Sequence, residues 1–170
     1  MKIPRLPVLM LAVLFCESSF AGSPSTNSGK LLLLERAPSQ AHKQRIAKLF
    51  QDASAIVVKF MPLENVESIH YSKEFADTHW EYLFSLRCAY RCNGEANQIR
   101  KRLSAGRRLS GPCPAPFSIV IGFRAPDRSL SKKIFVNGTG QCFSLDDRSY
   151  YLDSSDSILE LVQRTLQSFD

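Results

Sequence analysis

The sequence predicts an α+β fold: a mainly antiparallel sheet with helices packed on one face, stapled by disulfides. Three observations lead there. Segments with helical and strand periodicity follow one another as helix, strands, helix, strands, helix, without the regular alternation that builds a parallel sheet. A dozen residues from His79 to Tyr90 alternate apolar and polar with period two. Four of the five cysteines, Cys88, Cys92, Cys113 and Cys142, gather in the second half in an even number.

The first segment has the three parts of a signal peptide. Lys2 and Arg5 precede the mostly apolar run Leu6 to Cys16, and small residues stand at Ser19 and Ala21, so cleavage is expected after Ala21. Eleven residues rise only about 16 Å as a helix, roughly half a hydrocarbon core, which disfavours a retained anchor. Bulky Phe15 ahead of Cys16 disfavours a lipid anchor. Cleavage would remove Lys2, Arg5 and Glu17 and lower the net charge from +6 to +5. The expected division is residues 1–21 as signal, 22–38 as flexible leader and 39–170 as one α+β domain. The next apolar run, Leu31 to Leu34, is far too short to span a membrane, so no transmembrane segment is expected in the mature chain.

Within the domain, Ser39 can cap a helix with Ile46, Leu49, Phe50 and Ala53 on one stripe. Ala55 to Met61 is a β-branched run ended by Pro62, and suits a buried strand. Val66 to Tyr71 alternates imperfectly and is expected as a second strand. In the His79–Tyr90 segment, Trp80, Tyr82, Phe84, Leu86, Cys88 and Tyr90 share one face, which is expected to be core. Asn93-Gly94 breaks that strand, and Glu95 to Ala105 predicts a helix with Ala96, Ile99 and Leu103 inward. Phe117 to Arg124 and Lys133 to Val136 are expected to pair across a turn at Asp127 to Ser131. Asn137-Gly138 is a tight-turn dipeptide, and Gln141–Leu145 and Ser149–Leu152 form a second hairpin about Asp146-Asp147-Arg148. Asp153, Ser154 and Ser155 offer caps for a last helix with Ile158, Leu161, Val162, Leu166 and Phe169 on its apolar stripe.

Export into an oxidising compartment implies two disulfides. The rival reading, a zinc site, fits poorly, because Cys-x3-Cys followed by single cysteines is not a usual ligand spacing. The expected pairs are Cys92 with Cys113, bracketing the middle helix, and Cys88 with Cys142, tying two strands.

Charge is distributed unevenly. Arg87, Arg91, Arg100, Lys101, Arg102, Arg107 and Arg108 face a single acid, Glu95, whereas residues 146–170 carry six acids against Arg148 and Arg164. Arg91, Arg100, Lys101, Arg102, Arg107 and Arg108 are therefore the candidate binding face, for another exported protein or an anionic envelope component. A solvated helix face explains the same charges without a ligand. Nucleic acid is disfavoured, since no aromatic residue interleaves with Arg100 to Arg108 for base stacking.

Catalytic constellations are thin. Asp77-Thr78-His79 with Glu81 contains a base and an orienting acid, but neighbours in sequence need not converge in space, and His79 fits a strand edge. No Gly-x-Ser-x-Gly elbow occurs, and no catalytic residue, cofactor or metal is assigned. Asp146 with Asp147 belongs to a turn, and Asp153 with Asp156 is explained by helix capping rather than calcium. Asn137-Gly138-Thr139 matches the N-glycosylation acceptor pattern. The expectation is an exported non-enzymatic binding protein, of the inhibitor or immunity type, in the periplasm or outside the cell. A secreted hydrolase of envelope or wall polymers using His79, and an envelope structural or accessory protein, are the alternatives.

Overall fold

A computed structural model describes residues 32–62, 72–88 and 94–168. The expected strand at Val66–Tyr71, together with Arg91, Cys92 and Phe169, lies outside the described residues. The fold takes in residues upstream of the expected boundary at 39. Leu34 N–H donates to the Arg108 carbonyl (2.9 Å) and Ser110 N–H to that of Leu32 (3.0 Å), so part of the expected leader pairs as a short edge segment.

The chain runs α1 (Gln40–Asp52), β1 (Ala55–Phe60), α2 (Lys73–Thr78), β2 (Tyr82–Arg87), α3 (Glu95–Ser104), β3 (Arg107–Arg108), β4 (Phe117–Arg124), β5 (Leu130–Asn137), β6 (Cys142–Leu145), β7 (Arg148–Tyr151) and α4 (Ile158–Gln167). Among the described residues the strands form one sheet in the order β2-β1-β4-β5-β6-β7-β3. Every pairing is antiparallel.

Strand alternation sorts the core. Ile56 and Val58 of β1, Ile119, Ile121 and Phe123 of β4, Ile134 and Val136 of β5, and Phe143 and Leu145 of β6 point to one face, where Ile46 and Phe50 of α1, Ile99 and Leu103 of α3 and Leu161 and Val162 of α4 cover them. The predicted inward residues of α3 are those observed; on α1 and α4, Ile46, Phe50, Ala53, Ile158, Leu161 and Val162 are buried as predicted, Leu49 and Leu166 are partly buried, and His42 and Thr165 join them unpredicted. Ser39 caps α1 by accepting from the His42 N–H (3.3 Å), as its position before the apolar stripe requires.

Three features differ from the sequence reading. Trp80 and Tyr82, expected in the core, are 42% and 40% exposed. The strand's parity is right, but β2 is the last strand in the sheet order, and among its inward residues Phe84 and Leu86 are the ones packed against the core, with Cys88 buried beyond them. Lys73–Thr78, not expected to be regular, is a helix capped by Ser72, and His79 ends it rather than marking a strand edge. At the last helix, Asp153 to Ser155 begin a 3₁₀ turn, and Ser157 takes the cap position.

The topology places the second face. β3 lies at the sheet edge opposite β2, so the chain must return from it past β7, β6 and β5 to begin β4. Residues 109–116 make that return as a strap. Cys113 N–H donates to the Ser149 hydroxyl (3.0 Å), and Cys113 is joined to Cys142 of β6 by a disulfide. This bond replaces both expected pairings: the strap carries Cys113 to β6, so neither Cys92 with Cys113 nor Cys88 with Cys142 can form alongside it. Cys88 itself is buried at the end of β2.

Candidate functional site

α2 lies on the second face over β4, with Ala76 in a small cluster containing Leu109, Cys113, Phe117, Val120 and Cys142. Asp77 fixes this helix to the sheet. One carboxylate oxygen accepts from Lys59 of β1 (2.9 Å) and the other from Lys133 of β5 (2.5 Å). Burial acts to raise the Asp77 pKa, but the two lysine hydrogen bonds and their charges outweigh it and hold the carboxyl below its usual value.

Lys73, one turn earlier on α2, is held differently. Its ammonium donates to the Ser144 hydroxyl (2.7 Å) and sits 5.9 and 5.8 Å from the Phe117 and Phe135 ring centres. Among the described residues it has no carboxylate partner within ion-pair distance. Beside it opens a hollow of about 420 Å³, lined by Lys73, Arg108, Arg148, Asp147, Ser144, Ser149 and the strap residues Leu109 to Pro112. Arg108 and Arg148 are exposed and likewise lack a carboxylate partner among the described residues. Three cations against the single acid Asp147 leave this hollow with an excess of positive charge.

The six residues of the sequence-predicted basic face do not act as one group. Arg91 is outside the described residues. Arg100 donates to Asn97 on its own helix (2.7 Å), and Lys101 is exposed on α3. Arg102 donates to the Ser157 carbonyl and ties α3 to the start of α4. Arg107 pairs with Asp153 and lies over the Tyr151 ring. Of the five that are described, Arg108 alone lines the hollow. Lys73 and Arg148 were missed because linear charge density does not single them out: one is an isolated lysine, the other stands among acids.

Asp77 and His79 of the candidate catalytic set are engaged separately. Asp77 is occupied by two lysines, while His79 stacks on Phe75 (4.0 Å between centres) and its Nδ1 meets the Thr78 hydroxyl (2.9 Å). The glycosylation pattern is sequestered: Asn137 is buried, and its Oδ1 accepts from Cys142 N–H (3.0 Å) and the Thr139 hydroxyl (3.1 Å). Asp146 bonds Arg45 and Lys132, which ties the β6–β7 turn to α1 and β5.

No described helix is long and apolar enough to cross a membrane. No protein-family model matches the chain, and neither a curated protein nor a solved structure matches it.

Proposed function

We propose that this chain is an exported, non-enzymatic binding protein, of the inhibitor or immunity type, whose hollow at Lys73, Arg108 and Arg148 takes an anionic group of its partner. One observation carries the reading: Lys73 is partly buried and held by a hydroxyl and two aromatic rings, with no carboxylate within ion-pair distance among the described residues, beside two further cations that likewise make no ion pair among them. A cation kept in such surroundings gains most when a ligand supplies the missing negative charge. The disulfide between Cys113 and Cys142 and the signal-like first segment support an extracytoplasmic partner, either another exported protein or an anionic envelope component. Hydrolysis through His79 receives less support, since Asp77, one of the two acids that flank it in sequence, is already paired with lysines.

The test is affinity capture from the native extracytoplasmic fraction, with the wild type and the Arg108→Glu/Arg148→Glu variant as baits. The wild type is expected to retain a partner at low salt and release it at about 0.5 M, while the variant retains none. An Arg100→Glu/Lys101→Glu variant serves as comparison. If it loses the partner and the hollow variant keeps it, the contact lies on α3 and the assignment is wrong.

A further inference from the structure

We infer that the site is bipartite and that its ligand is an anionic amphiphile, with its head group in the hollow and an alkyl chain in the apolar groove next to it. This rests on the hollow reading above and extends it. The groove, of about 470 Å³, is walled by Leu33, Leu109, Pro114, Cys142 and Tyr151, with Asn137, Thr139 and Gln141 completing its lining. That volume falls within the range of about 300–1,000 Å³ usual for small-ligand sites.

The two cavities are neighbours by construction. Leu109 lines both. On β6, Cys142 lines the groove and Ser144 the hollow; on β7, Tyr151 lines the groove and Ser149 the hollow. Residues two apart on a strand share a face and lie about 7 Å from each other. Leu33 and Leu34 divide in the same way, one to each cavity. A free inorganic anion would fill only the hollow, whereas a carboxylate bearing an alkyl chain reaches both.

The groove wall also asks for an apolar occupant. Leu33 is 44% exposed although its segment is fixed by backbone bonds to 108–110, so pairing rather than burial holds it in place. A peptide partner would bring backbone donors and acceptors needing partners of their own in a groove whose walls are mainly apolar side chains. An alkyl chain brings no such groups.

Calorimetry on the chain as recovered after export tests this with sodium dodecanoate below its micelle concentration. The expected result is one-site binding, weakened about tenfold in decanoate and far more in acetate, and absent for dodecyltrimethylammonium. Arg108→Glu/Arg148→Glu should weaken dodecanoate at least tenfold and keep the chain-length dependence. Leu33→Ser should flatten that dependence and leave acetate unchanged. Equal affinity for acetate and dodecanoate would overturn the bipartite site while leaving the hollow intact. Loss of all anion binding would remove both, and tighter binding of hexaglutamate than of dodecanoate would replace the amphiphile by an acidic peptide.

Discussion

Lys73 and Asp77 stand one turn apart on α2, and the sheet beneath treats them oppositely: Asp77 receives two ammonium groups, Lys73 none of the described carboxylates. Replacing Asp77 with Asn would strand Lys59 and Lys133 against the second face, and should cost about 2 kcal/mol in urea unfolding. His42 gives a pH signature. It is buried in α1, bonds the Leu103 carbonyl through Nε2 (2.8 Å) and stacks on Tyr150 (4.2 Å), while its Nδ1 has no partner among the described residues. Burial lowers its pKa below 6.5, against the opposing pull of the Leu103 bond and Glu35. The unfolded chain therefore binds a proton that the folded chain resists, so stability is full above pH 6.5 and falls as pH drops below it. Thermal melting between about pH 7.5 and 5.5 should show this decline, and His42→Gln should flatten it. Neither residue's role was legible in the sequence, because both depend on groups brought in from distant segments: Leu103 lies 61 positions from His42, and Lys133 lies 56 from Asp77.

Elements whose pattern is local were legible. Ser39 and the Ile46–Phe50 stripe define α1, Ala96, Ile99 and Leu103 define α3, and the alternation of Phe117–Arg124 finds β4. α2 was not, because six residues give too little periodicity to register, and its one buried side chain is Ala76. The turn after β5 shows how a local signal becomes tertiary. Gly140 has φ +71°, and a Cβ there would press on the Leu159 backbone nitrogen and the Ser157 hydroxyl at the start of α4. Gly140→Ala should therefore destabilise the fold by about 2–3 kcal/mol, read from the denaturant midpoint at unchanged slope. The hollow is assembled from α2, β3, the strap, β6, β7 and the 32–34 segment, none of which carries a recognisable ligand motif alone.

For the whole molecule, the strap and its disulfide keep the two faces distinct: three helices and the main core on one, α2 and the two cavities on the other. The bond between Cys113 and Cys142 closes a loop with a sequence separation of 29. By the chain-entropy relation its removal in a Cys113→Ser/Cys142→Ser variant should cost about 3–4 kcal/mol and lower the melting temperature by about 10 °C. The sequence's cysteine count foretold a stapled fold but not this pair, since the return path from β3 to β4 is a property of strand order. The linear charge blocks do not map onto a single surface: folding uses Arg102 and Arg107 as internal ties, and brings Arg108 beside Lys73 and Arg148. The most direct measurement is a titration of the isotope-labelled protein with inorganic phosphate, following backbone amides by NMR. Saturable, salt-sensitive shifts confined to residues around Lys73, Arg108–Gly111, Ser144 and Asp147–Ser149, and abolished in Arg108→Glu/Arg148→Glu, are the predicted result. Shifts centred on α3, or shifts that survive the charge reversal, would contradict it.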